Sequence, residues 1–300
     1  MIISRNQHTL ASDCEVVGTG YWSSRQTRVV MRPAEKNSGV RLVRSDLPGR
    51  PSCVAHVRHR TDAKMRTNLA DGEARFQMVE HLMAALYAME IDNCIVEVDG
   101  EELPGLDGSS FAYVQAISGA GLVIQAAERP RLVIEQLITL HDGAAWLTAS
   151  PATSGVSQYG YQLVFDHACA IPNQSYAFAC TPHRFVRDVS EARTFVTEDQ
   201  AEMLRSQGVA QHVSYRDLLV FGDAGPIDNQ LRYPNECARH KALDLVGDLA
   251  LAGVELVGKF VSHRGGHRLN GKMAEALYQL ALQSQSRNSR DGSVSRRPAA

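Results

Sequence analysis

The chain has 300 residues, 44% of them apolar, enough to bury a large core in one domain or two modest ones and too apolar for a chain that stays unfolded. Its 31 basic and 33 acidic residues leave a net charge of -2, which argues against a nucleic-acid binder or a basic membrane-surface protein and means that any charged ligand must be gripped locally. Six cysteines without a Cys-x-x-Cys pair argue against a disulfide framework and a thiolate zinc site. No stretch offers ~18 uncharged apolar residues for a membrane span, and residues 1–14 lack a signal-peptide core, so the expectation is a cytoplasmic protein with reduced thiols.

In chain order, Glu80–Met89 reads as a helix with a Leu82, Ala85, Leu86, Met89 stripe. A strand-like run follows at Ile95–Val98. Residues 125–130 are the candidate boundary between two halves that share no sequence repeat, and Leu132–Leu140, Trp146–Ala149 and Gln162–Phe165 are further strand-like runs. Thr181-Pro182 signals the start of a helix, another begins near Pro234 and stops at Ala252-Gly253, and a last one covers about Lys272–Gln283. From Ser284 to Ala300 the chain turns to Ser, Arg and Gly and reads as a disordered tail. Strands and helices lack the strict alternation of a parallel fold, so the class is α+β.

Within the helix near Pro234, His240 and Asp244 stand four residues apart and share a face. Taken alone, such a pair is more often a solvated or ion-paired face. Glu80-His81 strengthens the case, because a charged pair at the start of an apolar helix is costly without a partner such as a metal. His81, His240 and Asp244 would then be three protein ligands to zinc, the number typical of a catalytic site with an open position. Glu80 would flank the ion, where a general base belongs; otherwise it serves the helix dipole. His267, in a glycine-rich turn before the last helix, can donate a proton to a leaving amine if a carboxylate holds it protonated, and Asp248 is placed to be that carboxylate. As a loop histidine it is equally accounted for by ordinary hydrogen bonding. In Arg193-Thr194-Phe195, Thr194 can donate to an oxyanion and Phe195 can stack on a sugar. Lys241 can reach an anionic substrate group, although a solvated lysine is commoner. His56 and His59 read as surface, and Asp107-Gly108 as turn chemistry.

Taken together, Val79-Glu80-His81-Leu82-Met83-Ala84-Ala85-Leu86, Ile91-Asp92-Asn93, Asp107-Gly108-Ser109, Ala192-Arg193-Thr194-Phe195, Arg239-His240-Lys241 followed by Asp244, Gly247 and Asp248, and Gly266-His267 followed by Asn270 occur in a fixed order. This pattern, over roughly Asn6–Leu282, resembles the UDP-3-O-acyl-N-acetylglucosamine deacetylases, zinc amidases of lipid A biosynthesis. The resemblance implies hydrolysis of the 2-acetamido group of UDP-3-O-(3-hydroxyacyl)-N-acetylglucosamine to the free amine and acetate. It implies zinc held by His81, His240 and Asp244, Glu80 as base, His267 as acid oriented by Asp248, Thr194 at the oxyanion, and Phe195 and Lys241 at the substrate. It also implies two similar domains, each a helical layer on a β-sheet, packed with helices between the sheets and with a small insert in each. These would be residues 1–127 and 128–283, with residues 284–300 as tail. The second insert, about Thr197–Phe221, would form an apolar passage with Met203, Leu204, Val209 and Val213 as lining candidates. Ferrous iron suits the same donor set, and the expected partner is a UDP-linked acylated amino sugar bound by a monomer, with no nucleic acid.

Three positions depart from the family pattern. Gly20-Tyr21-Trp22-Ser23-Ser24 stands where the family usually reads Gly-Leu-His-Ser-Gly, Gln211-His212 where it has a Gly-Gly pair, and Met78 where a small hydroxylated residue is common. They leave open a same-fold amidase acting on a related acylated or nucleotide-linked sugar, and a silent acyl-sugar-binding relative.

Overall fold

The computed structural model describes residues 5–166 and 169–294. It is a mixed α+β structure in which a sheet topology occurs twice. In the first half, strands Cys14–Thr19, Gln26–Pro33, Cys94–Val98, Val40–Arg44 and Ser52–Val54 lie side by side in that order. In the second, Ile138–Asp142, Ala145–Ser150, Lys259–His263, Gln158–Leu163 and Gln174–Ala179 do the same. Numbered by sequence within its own half, each sheet runs 1-2-5-3-4, and in each only the pairing of the fifth strand with the third is parallel.

The helices repeat as well. The first half carries α1 (Glu80–Ala88) before its fifth strand and α2 (Phe111–Ala120) after it. The second carries α3 (Pro182–Asp188), α4 (Glu198–Ser206) and α5 (Glu236–Ala250) before its fifth strand and α6 (His267–Val294) after it. Between the fourth strand and the helix before the fifth, each half inserts a three-stranded sheet: Arg60–Thr61, Asn68–Asp71 and Ala74–Gln77 in one, Phe195–Thr197, Leu219–Gly222 and Gly225–Pro226 in the other. This correspondence has no counterpart in a sequence repeat, because sheet order is set by which faces must be buried rather than by particular side chains.

The helix α1 packs on α5, and α5 lies on strands Gln158–Leu163 and Gln174–Ala179. Its apolar surface is wider than the single stripe read from periodicity: every residue of α1 except Tyr87 is buried. One apolar core joins both halves, from Val29, Met31 and Val96 through Leu82 and Leu245 to Tyr159 and Phe260. Two small residues permit the fit. A Cβ at Gly247 of α5 would overlap the carbonyl oxygen of Glu80, so glycine lets α5 approach the first turn of α1, and Ala84 is fully buried on α1.

Several boundaries differ from expectation. The run Leu132–Leu140 is two strands in different sheets: Arg131–Val133 pairs in parallel with Glu255–Val257, and Ile138–Asp142 pairs with Ala145–Ser150. Residues 125–128, taken as a boundary, belong to strand Leu122–Glu128, paired with Asn6–Leu10. The strand expected at Gln162–Phe165 is Gln158–Leu163. The last helix begins at His267 and runs to Val294, across the first part of the stretch read as a tail; residues 295–300 lie outside the described residues. His56 and His59 flank a single 3-10 turn, and His56 is half-buried, edge-on to Tyr278. No described helix is long and apolar enough to cross a membrane.

Candidate active site

Helix α5 presents His240 and Asp244 one turn apart toward the first turn of α1, where His81 stands. Among the described residues, these three are a set placed to hold one metal ion, with all ligand atoms within 4.8 Å of one another. His240 Nε2 lies 3.3 Å and His81 Nε2 3.6 Å from Asp244 Oδ1. All three side chains are buried, Asp244 to 2% exposure.

Two observations test whether a metal fits. Asp244 Oδ1 is buried without a hydrogen-bond partner, a costly state for a carboxylate oxygen unless something else fills it. Its other oxygen accepts from Lys241 Nζ at 2.9 Å. His240 Nδ1 donates to the Ala192 carbonyl at 3.0 Å, which leaves Nε2 as the lone-pair nitrogen facing Asp244. Burial, joined by the nearby His81 and Lys241, brings the His240 pKa down to about 3 against the pull of Asp244, so the ring is neutral, as a ligand must be. Burial would raise the Asp244 pKa, yet His240, Lys241 and His267 hold it well below the usual carboxylate range. Two neutralisable nitrogens and a carboxylate in this geometry suit zinc or another divalent ion.

Glu80 lies beside the triad, its Oε2 accepting the Thr67 backbone N–H at 3.0 Å. Burial raises its pKa, against His267 and His81, which lower it. His267 is the first residue of α6 rather than part of a turn; Arg264-Gly265-Gly266 link it to strand Lys259–His263. Its Nδ1 donates to Asp248 Oδ2 at 2.9 Å, and its Nε2 lies 3.8 Å from Asp244 Oδ2. Burial would lower the His267 pKa, but Asp248 and Asp244 lift it to about 9. Asp248 also accepts from Thr67 Oγ1 at 2.5 Å and Asn270 Nδ2 at 2.8 Å.

The proposed substrate-facing residues gather at the same place. Thr194, Phe195 and Lys241 line one cleft with Glu80, His81, His240, Asp244 and His267. Thr194 is held by its N–H to the Gly108 carbonyl at 2.8 Å, and a Cβ at Gly108 would meet the Thr194 methyl. The Asp107-Gly108 turn therefore seats Thr194 rather than merely ending a strand. Lys241 Nζ stands 5.7 Å from the Phe195 ring centroid. It reaches the candidate ligand Asp244 as well as the cleft. Burial alone would lower its pKa, but Asp244 and Tyr161 raise it. The far wall is apolar: Leu204 and Val209 line it, whereas Val213 sits in the core beneath and Met203 is half exposed.

Thr67 was not legible from sequence. A threonine in an irregular segment carries no signal, yet it ties the candidate base to the candidate acid's carboxylate. Asn270 carried a weak one, its helical spacing from His267.

The family model for UDP-3-O-acyl N-acetylglycosamine deacetylase matches residues 7–279. Proteins named UDP-3-O-acyl-N-acetylglucosamine deacetylase are similar throughout. That of Trichormus variabilis is 38% identical over 92% of this chain and 99% of its own length. That of Thermosynechococcus vestitus is 35% identical over 93% and 96%, and that of Brucella ovis 36% identical over 90% and 94%. With a match that spans both sheets, both inserts and every residue of the buried site, the chain belongs to the UDP-3-O-acyl N-acetylglycosamine deacetylase family.

Proposed function

We propose that this chain is a zinc-dependent amidohydrolase that removes acetate from UDP-3-O-acyl-N-acetylglucosamine in lipid A biosynthesis. The observation that carries the reading is the unpartnered Asp244 oxygen facing two histidines, with a carboxylate on one side and a histidine–carboxylate pair on the other. His81, His240 and Asp244 would hold the ion. When bound, zinc supplies Lewis-acid polarisation and makes water a competent nucleophile near neutral pH.

The chain's own groups do the rest. Glu80, with a pKa raised by burial, accepts a proton from the attacking water at its carboxylate. Thr67 N–H fixes one of its oxygens and so its orientation. Thr194 donates its hydroxyl to the developing oxyanion. His267 carries a proton at Nε2, kept there by Asp248 on Nδ1, and delivers it to the departing amine. Phe195 faces the hexose, and Lys241 holds Asp244 while presenting charge to the substrate.

A second, open cleft of about 1470 Å³ shares Met65, Lys241 and His267 with the first and adds Lys64, Arg264 and Arg268. We place the nucleotide diphosphate there and the acyl chain against Leu204 and Val209 on the other side. A UDP-linked substrate places the reaction in the cytoplasm. Purified protein incubated with the UDP-linked acyl sugar should release acetate, lose activity on chelation and regain it with zinc. Metal analysis of protein purified without added metal decides between zinc and ferrous iron. Absence of acetate release from metal-loaded protein would overturn the reading.

A further inference from the structure

The two loop segments that depart from the family pattern touch one another. Ser24 Oγ and His212 Nδ1 are 2.7 Å apart although 188 residues separate them. This contact joins the loop after strand Cys14–Thr19 to the second insert, across the apolar end of the cleft. The same loop is fastened at three further points. Glu102 accepts the N–H groups of Trp22 at 2.8 Å and Ser23 at 2.6 Å. Tyr21 donates its hydroxyl to the Asp217 carbonyl of the insert at 3.0 Å. The Arg66 guanidinium lies 4.2 Å over the Trp22 ring, a cation–π contact that holds the indole in one orientation.

The ring so held is part of the cleft's wall. Trp22 lines it together with Met78, Leu204, Val209 and Leu218. Three lining residues, Met65, Met78 and Ala210, have φ values of 61°, 60° and 55°, a conformation unfavourable for side chains other than glycine and kept only where surroundings enforce it. The wall is thus built as a fixed shape rather than a loose surface.

Resting on the deacetylase reading, we propose that Trp22, clamped by Arg66 and tied to the insert through Ser24 and His212, is a specificity-determining residue that sets the upper length of the acyl chain the cleft accepts. The indole fills space that a longer hydrocarbon would otherwise occupy, so a substrate beyond that limit leaves methylenes in water. Each methylene that gains burial is worth up to about fourfold in binding, so a few decide the preference.

The test is kcat/KM for a graded series of UDP-3-O-acyl-N-acetylglucosamines, short to long, with the zinc-loaded full chain. Trp22→Ala should raise the long-to-short ratio by about tenfold, with metal content unchanged. Trp22→Phe, which keeps a ring, should retain the wild-type order, and His212→Ala should shift the ratio in the same direction by less. A ratio within about twofold of wild type for Trp22→Ala, or an equal shift for Trp22→Phe, overturns the proposal. The chain has two tryptophans, so Trp146→Phe leaves Trp22 as a reporter. Its emission should change on titration with 3-hydroxy fatty acids of accepted length, and constant emission through saturating ligand overturns the proposal. If wild type releases acetate from none of the series, the deacetylase reading fails instead, while the emission arm still tests the wall.

Discussion

On the floor of the cleft, His81, His240, Asp244 and Asp248 stand on α1 and α5, two buried helices brought together at Gly247. At its mouth, Trp22, Ser24, Met65 and His212 stand on loops, joined by partly exposed contacts. On the floor, Asp248 and one oxygen each of Glu80 and Asp244 have protein partners, and a buried unpartnered oxygen, Asp244 Oδ1, faces the two histidines where a metal fits. Removing one group there strands another in a medium of low dielectric, whereas at the mouth water can take the place of a lost contact. On the proposed reading, the chemistry sits on helices and the shape selection on loops.

The sharpest way to break that contrast is at the floor. Glu80→Gln should lower kcat by ~10²- to 10⁴-fold with metal content intact, while His240→Ala should lose the metal itself; steady-state kinetics beside metal analysis separates the two. Retention of most activity by Glu80→Gln would remove it as the base.

Next in size is Asp248→Asn, with an expected loss of about 10- to 100-fold and a displaced pH profile. An acid must be protonated, so activity falls as pH rises through the His267 pKa, which Asp248 and Asp244 lift to about 9. Losing the Asp248 charge lowers that pKa, and the alkaline limb should move to lower pH. The acid limb belongs to Glu80, whose raised pKa must be exceeded for it to accept a proton, and should move little. A profile with an unmoved alkaline limb would show that His267 does not set it.

How far the sequence foretold the site follows the same division. His240, Asp244 and Asp248 declare themselves because a helix imposes a spacing, and Glu80-His81 because charge at the start of an apolar helix needs a reason. The pattern shared with the family then joined His267 and Thr194 to them. Thr67 and the Ala192 carbonyl stayed hidden: they act through backbone groups or a lone hydroxyl, to which no residue pattern points. The α+β class was legible, but the twofold 1-2-5-3-4 order was not, since pairing depends on contacts between strands far apart in sequence. His267 reads as a turn residue because Gly265-Gly266 precede it, while the glycines belong to a three-residue connection and the helix starts at the histidine.

Gly247→Ala probes the packing that holds the floor together. The added methyl would overlap the Glu80 carbonyl, so α1 and α5 must part at the point where ligands and base meet. Overpacking of this kind costs roughly 1–3 kcal/mol. A lower thermal transition should accompany a fall in kcat and a weaker hold on the metal. Unchanged stability with unchanged kcat would mean that the close approach at Gly247 does not hold the floor together.

The smallest effect is expected at the mouth. Ser24→Ala removes one partner of a hydrogen bond to His212 that lies at the surface, where water replaces the lost contact and the net cost is at the low end of about 0.5–1.5 kcal/mol. Stability should fall by no more than about 0.5 kcal/mol, metal content should be unchanged and kcat the same within about twofold, because no group on the floor contacts either residue. What should move is KM, and unevenly: longer acyl chains should gain relative to short ones as the loop loses its tie to the insert. Measuring kcat and KM separately for a short and a long substrate resolves this. A uniform fall in kcat for both would mean that the mouth is mechanically continuous with the floor, and that helices and loops here form a single catalytic unit.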